Sequence, residues 1–260
     1  MKFARFIANG ERYTGIVTDG RIREIQGDMF GKWEYTEKTF SGHEVKLLAP
    51  LEPNQIIGIG ANYVSQKQEI PDVLPEIPVF FFKPASSVIG PEEEIIIPKG
   101  IDHVKFESEL AVVIGKEAKH IPESDVLNYV FGYTVGNDVT APQFFHQDGH
   151  WTLGKAFDTF TPLGPVIETE LNPFKVNVKA RLNGVEKQNS PTELMVISIC
   201  KMISYLSNIM MLKPGDVILT GSPVGAEFVK PGDLIECEIA EIGTLRNPFV
   251  AAQESVQAGQ

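Results

Sequence analysis

The stretch Phe106-Glu107-Ser108-Glu109-Leu110-Ala111-Val112-Val113-Ile114-Gly115 sets the first constraint on how this chain folds. Five apolar residues, Leu110 to Ile114, follow two glutamates without a break. A short continuous apolar run of this kind reads as a strand covered on both faces. Residues i and i+2 of a strand share a face, so Glu107 and Glu109 project side by side at the mouth of a core strand. Two like charges that close repel, and each tends to hold its proton. A divalent cation removes the conflict, because two carboxylates on one face supply two of the oxygen ligands that Mg²⁺, Mn²⁺ or Ca²⁺ prefers. A solvated strand face with alternating glutamates is the competing reading.

The 260 residues suffice for one large domain, or one large and one small. The net charge of −11 argues against a nucleic-acid binder, which needs a basic patch. It gives no support to attraction toward an anionic membrane. Cys200 and Cys237 have apolar neighbours and no metal-binding spacing, which reads as buried free thiols in a reducing compartment. Met1-Lys2-Phe3-Ala4-Arg5 lacks the apolar segment of a signal peptide. No apolar stretch approaches the roughly 20 residues of a membrane span. The expectation is a cytoplasmic protein with no nucleic-acid or membrane partner.

Short strands dominate the chain. Phe3–Ala8, Arg12–Thr18 and Arg21–Ile25 form a meander, joined at Asn9-Gly10 and Asp19-Gly20, which suit type I′ turns. Residues 26–46 are polar with scattered aromatics and give no firm element. Leu48-Ala49-Pro50-Leu51-Glu52-Pro53 reads as a linker, so residues 1–47 are expected to form a small N-terminal β subdomain and 48–260 the main domain. Ile56–Ile59, Val79–Lys83 and Ile95–Ile97 are further strands, and the second ends on a lysine. Residues 64–77 make a polar surface loop or short helix, long enough to be a lid. Ser124–Val130 reads as a short helix, 142–154 as a polar, aromatic loop, and the residues beyond about Ala251 as a frayed tail. Ile199, Met202, Ile203, Leu206, Ile209 and Met210 recur at helical spacing, with Ser198 as N-cap. Lys-Pro-Gly-Asp occurs at 213–216 and again at 230–233, which reads as one turn used twice. The rhythm is not that of a doubly wound α/β protein; it fits an α+β, mostly β core with peripheral helices.

Three further residues join the glutamates as candidates. Asp138 ends the apolar strand Phe131–Val139 and, if that strand is a neighbour, completes a set of three carboxylates; a strand-end turn residue is the alternative. Lys155 stands among aromatics, where it either neutralises substrate charge or lays its stem over the rings. Thr220 opens Thr220-Gly221-Ser222-Pro223-Val224-Gly225, which offers hydroxyls and N–H groups to an anion, or is a plain turn.

Five motifs in order carry a resemblance. They are Gly58-x-Gly60-x-Asn62-Tyr63, the Phe106–Gly115 stretch, Gly132-Tyr133-Thr134-x-x-Asn137-Asp138-Val139, Gly154-Lys155-x-Phe157-Asp158-Thr159-Phe160-x-Pro162-Leu163-Gly164-Pro165, and Pro214-Gly215-Asp216-Val217-Ile218-x-Thr220-Gly221. Together they resemble the fumarylacetoacetate hydrolase family over residues 48 to 250. Residues 1–47 resemble the N-terminal extension of its acylpyruvase/oxaloacetate decarboxylase-like branch, which includes 2-hydroxyhepta-2,4-diene-1,7-dioate isomerase-like members. The resemblance implies a rolled mixed β-sheet, a homodimer, and Mg²⁺ or Mn²⁺ held by Glu107, Glu109 and Asp138. It also implies Lys155, Tyr63, Gln143 and Thr220 at a small 2-oxo acid substrate, with Gln66 and Glu69 on the lid. Two positions depart from the family pattern. Gln66 stands where the family has a histidine paired with Glu69, and an amide cannot take a proton near neutral pH. Thr140-Ala141-Pro142-Gln143 replaces Ser-Ala-Arg-Asp, which removes a bidentate carboxylate binder. His146 and His150 lie just beyond, more in keeping with packing or surface roles.

The chemistry implied is that of a metal-stabilised enolate of a 2-oxo acid. Decarboxylation of an oxaloacetate-type substrate needs little beyond that electron sink; tautomerisation or isomerisation also needs an acid–base group, a role open to Glu69 or Lys155, and acylpyruvate hydrolysis needs an activated water. Isomerisation of unsaturated 2-oxo diacids, or a non-catalytic metal-binding scaffold, are the alternatives.

Overall fold

The computed structural model describes residues 1–146 and 150–253; the expected frayed tail beyond residue 253 lies outside them. The main feature is a twelve-stranded mixed sheet. From one edge inward it runs Trp33–Ser41, Arg21–Gly27, Glu11–Thr18, Lys2–Ala8, Thr161–Glu168, Val130–Asn137, Ser108–Ile114, Val217–Leu219, Ile56–Ile59 and Phe80–Lys83. Two short strands, Lys46–Leu47 and Val88–Ile89, join from the side. The N-terminal meander forms as its turns require: Asn9, Gly10, Asp19 and Gly20 all take positive φ. The polar segment 26–46 supplies Trp33–Ser41, which pairs with Arg21–Gly27 and closes that edge. Lys2 and Phe3 pair with Glu168 and Ile167, so the first strand is bonded directly into the large sheet.

A second sheet of five strands orders Val185–Pro191, Asn177–Leu182, Leu234–Ile239, Gly243–Ala251 and Ile95–Ile97. It covers one face of the large sheet. Val178, Ala180, Ile235, Cys237, Leu245 and Phe249 share a core with Leu110, Val112, Ile114 and Val135. Ala111 and Val113 point the other way, into a core with Phe3, Ile16, Ile56, Ile167 and Leu219. Strand Ser108–Ile114 is thus buried on both faces, and its unbroken apolar run follows from serving two cores.

Helices are few and peripheral. Among the described residues Ile199–Ile209 is the one long α-helix, capped by the Ser198 hydroxyl accepting from the Lys201 N–H at 3.1 Å. The expected helix near Ser124 is a 3₁₀ segment, Glu123–Asn128, which starts after Pro122. The 142–154 loop carries a 3₁₀ turn, Pro142–Phe144, and one helical turn, Thr152–Lys155. In both Lys-Pro-Gly-Asp turns the aspartate carboxylate accepts from the lysine N–H at 2.8 Å, and the glycine takes positive φ. One tetrapeptide builds one turn in two places. No helix of the described residues is long and apolar enough to cross a membrane.

Candidate metal centre and its cavity

Strand register builds the centre. Ser108 pairs with Asn137 and Glu109 with Gly136, so Glu107 falls opposite Asp138. The Asp138 N–H donates to the Glu107 carbonyl at 2.8 Å and fixes that alignment beyond the strand ends. With side chains alternating, Glu107, Glu109 and Asp138 emerge on one face. Gly136, across from Glu109, adds no side chain to crowd it. One carboxylate oxygen from each of the three lies within 4.8 Å of the others.

Neighbouring elements hold each carboxylate. The Glu109 carboxylate accepts from the Gly221 N–H at 2.7 Å, just past strand Val217–Leu219. Asp138 takes Lys83 Nζ on one oxygen and Lys155 Nζ on the other, each at 2.5 Å. Glu107 takes Lys155 Nζ at 2.6 Å and Lys105 Nζ at 2.5 Å, and accepts from the Thr140 hydroxyl at 3.1 Å. Lys155 Nζ also lies 4.7 Å from the centre of the Phe81 ring.

The electrostatics favour a further cation. Burial works against the Lys155 ammonium, but Asp138 and Glu107 outweigh it and hold it above the ordinary lysine range. Burial also opposes ionisation of Asp138, and the ammonium groups of Lys155 and Lys83 overcome it. Glu109 is the exception. Burial and then the Asp138 carboxylate push it well above the carboxylate range. Among the described residues, no cation lies within ion-pair distance of Glu109. A divalent ion taking an oxygen from each carboxylate would supply the missing charge, and hard oxygen donors suit Mg²⁺ or Mn²⁺.

The group opens into a cavity of about 410 Å³, lined also by Ile59, Gly60, Phe145, Trp151 and the segment Ser222–Ala226. Its size falls in the range of about 300–1,000 Å³ usual for small ligands.

The other residues singled out in the sequence stand apart from that cavity. Gln66 and Glu69 are exposed on the 64–77 segment, and the Glu69 carboxylate accepts from the Ser65 N–H at 2.9 Å. Gln143 is exposed on its 3₁₀ turn. The Thr220 hydroxyl is spent on the Leu110 carbonyl at 2.8 Å. The Tyr63 hydroxyl is buried without a partner; burial, then Glu109, drives its pKa up. The His146 N–H donates to the His150 carbonyl at 3.0 Å. Lys83 and Lys105 were not singled out from the sequence. The signal for Lys83 was a charge closing the apolar run Phe80-Phe81-Phe82.

Residues 55–250 match the family described as fumarylacetoacetate (FAA) hydrolase C-terminal, and residues 1–50 match one described as Rv2993c-like, N-terminal. The chain belongs to the fumarylacetoacetate hydrolase family. Members whose names state an activity include a mitochondrial oxaloacetate tautomerase of Xenopus laevis, 43% identical over 81% of this chain and 70% of that one. A 5-carboxymethyl-2-hydroxymuconate delta-isomerase structure from Mycobacterium smegmatis superposes with a TM-score of 0.90 at 37% identity, covering 97% of this chain and all of the other. A maleylpyruvate hydrolase from Sphingobium sp. SYK-6, in complex with manganese(II) ion and pyruvate, superposes at 0.81 with 28% identity over 97% of this chain and all of the other. The chain shares the fold of these structures, and its own three carboxylates stand together within that fold.

Proposed function

We propose that the protein interconverts the keto and enol forms of a small 2-oxo acid, using Mg²⁺ or Mn²⁺ held by Glu107, Glu109 and Asp138. The observation that carries this is the buried carboxylate trio with an ammonium, Lys155, already seated on two of its members. The relatives named as a tautomerase and an isomerase support a proton-transfer reaction, and the hydrolase solved with both manganese(II) ion and pyruvate supports a divalent metal and a 2-oxo acid as ligands of this fold. A divalent ion there polarises the carbonyl and stabilises enolate charge.

The protein's own residues do the rest. Lys155 places its ammonium beside the centre and delivers a proton to C3 while the Glu69 carboxylate, once the lid has folded over, takes the enol O–H proton; exchange with water then resets both groups. The C2=C3 double bond then gives way to C2=O, and the reverse path returns the proton to Lys155. Phe81 and Phe145 flank its ammonium at 4.7 and 5.9 Å to the ring centres, which limits water at the point of transfer. Gln66 and Glu69 act only when the 64–77 segment folds over the cavity, Glu69 as base and Gln66 as a donor to the substrate. Tautomerisation needs no activated water, so it tolerates the missing lid histidine better than hydrolysis does.

The test follows oxaloacetate at its enol absorbance and by pyruvate formation, with Mg²⁺, with Mn²⁺ and after EDTA. Metal-dependent decay of the enol without pyruvate is the expected result. Pyruvate formed faster than by free metal reassigns the reaction to decarboxylation. No effect of protein in any condition sinks the proposal.

A further inference from the structure

Away from the carboxylates, the cavity lining changes character. Phe145 and Trp151 stack with ring centres 5.0 Å apart and planes 6° from parallel. Both line the cavity, beside Ile59, Pro223, Val224 and Ala226. The stack is fixed in place. A side chain at Gly60 would overlap the Trp151 ring, so the strand end is pared back to let the indole lie against it. A Cβ at Gly154 would come within 2.8 Å of Phe145 Cδ1, so the phenyl ring is seated on that backbone in the same way. Trp151 also packs on Phe81, 6.0 Å between centres. Two glycines and a third ring make this a preorganised flat apolar surface.

Among the described residues, the lining offers no uncommitted cation to a second negative charge. It contains no arginine, and its two lysines are committed: Lys155 to Glu107 and Asp138, Lys105 to Glu107. The Ser222 hydroxyl accepts from the Gln188 side chain at 2.8 Å, and its own O–H faces the Pro223 carbonyl at 3.5 Å. A carboxylate placed against the stacked rings would be desolvated with no partner, which is costly, whereas a ring or conjugated chain would stack.

We infer that this cavity selects a 2-oxo acid whose chain ends in a flat apolar group, an aryl ring or conjugated alkene, over one ending in a second carboxylate. Phe145 and Trp151 are the specificity-determining residues. The inference rests on the 2-oxo acid reading above, which leaves the far end of the substrate open.

Three probes separate the far end from the acid end: phenylpyruvate, oxaloacetate and pyruvate, which has no arm. Binding is read by calorimetry on the Mn²⁺-loaded protein and by emission of Trp151, with Trp33→Phe as background to isolate it. Reaction is read as exchange of the C3 proton for deuterium from D₂O. Phenylpyruvate is expected to bind at least tenfold more tightly than either other acid and to quench Trp151. Phe145→Arg is expected to reverse the order of phenylpyruvate and oxaloacetate by at least tenfold. Phe145→Leu, which keeps the site apolar and compact, should cut the phenylpyruvate advantage without creating one for oxaloacetate.

The outcomes separate the two claims. Tight phenylpyruvate binding without C3 exchange keeps the pocket assignment and overturns the proposed reaction. Oxaloacetate binding and exchanging as well as phenylpyruvate does the opposite. If no acid binds, both fall.

Discussion

Lys83 Nζ stands 2.5 Å from Asp138 Oδ1 in a pair with no access to solvent on the lysine side, at the far end of a four-residue strand from a different part of the chain. The same ammonium donates to the Val139 carbonyl at 3.2 Å. Lys83 therefore holds the aspartate from behind while its other oxygen faces the centre. Removing one member of a buried pair costs about 3–5 kcal/mol, mainly because the other charge is left uncompensated. Lys83→Met is expected to lower stability by about that amount in EDTA, and by clearly less with Mn²⁺, which replaces part of the lost charge. Thermal unfolding with and without metal measures both. An equal loss in the two conditions would show that Lys83 does not act through Asp138.

Glu109 has the opposite problem, a buried carboxylate that accepts from a backbone N–H and has no ion-pair partner among the described residues. Glu109→Gln keeps an oxygen for the Gly221 N–H and discards the awkward charge. Metal-free stability should hold or rise. Mn²⁺ affinity by calorimetry should fall by more than the roughly 10–100-fold typical of losing an outer-shell partner. Undiminished Mn²⁺ binding would remove Glu109 from the ligand set.

Gly60 makes room for Trp151. Gly60→Ala forces the indole off the strand end and is expected to cost about 1–3 kcal/mol, as overpacking does. The accompanying change in tryptophan emission reports the displacement. Stability loss with unchanged emission would mean that the backbone, not the ring, gave way.

The two thiols differ in burial, and their chemistry should differ with it. Cys237 is fully buried, and its thiol is pushed up to about 12. Cys200 is half-buried, and burial raises it as well. A thiol reagent should label Cys200 slowly in the native protein and reach Cys237 only on unfolding. The sign of the pH effect follows from the neutral form being favoured in the fold. The unfolded chain loses its thiol proton from about pH 8.5, so stability is complete below that and declines as pH rises toward the folded value. The decline is about 1.4 kcal/mol per pH unit, and Cys237→Ala should lose that part of the slope in urea unfolding between pH 9 and 11. An unchanged slope would assign the alkaline loss to other groups.

The parts of the site that were legible in the sequence are those carried by strand periodicity. Glu107 and Glu109 share a face because they are two apart, and an apolar run beside them announces a buried strand. Asp138 was a candidate by position, and the register Ser108 to Asn137 brings it to the glutamates. Lys83 was not legible in that way. Its role depends on strand Phe80–Lys83 lying next to Ile56–Ile59, which in turn lies parallel to Val217–Leu219, and no local pattern states that order. The strand Trp33–Ser41 escaped notice because its residues are mostly exposed, which leaves no alternation of apolar and polar positions to read. The 3₁₀ segment Glu123–Asn128 reads as a helix from sequence because its six residues are too few to separate the two periods. Phe145 and Trp151 read only as aromatics in a loop; their stacking depends on Gly60 and Gly154, and a glycine's neighbours are not written in the sequence.

The order of strands in the large sheet also bears on how the chain is made. Glu107, Glu109 and Asp138 lie on one antiparallel pair and are brought together by a local hairpin. Lys83, although translated before them, reaches Asp138 only through the neighbouring strand Ile56–Ile59, which is docked on Val217–Leu219. Lys155 is translated after all three carboxylates, and Gly221, which holds Glu109, later still. During synthesis from the N-terminus the hairpin therefore gathers three carboxylates with only Lys105, two residues before Glu107, made beside them, and Lys155 and Gly221 still to come. The carboxylates are thus assembled by neighbours in sequence, whereas the groups that hold Asp138 and Glu109 in place come from remote strands and complete the centre only when the large sheet is whole.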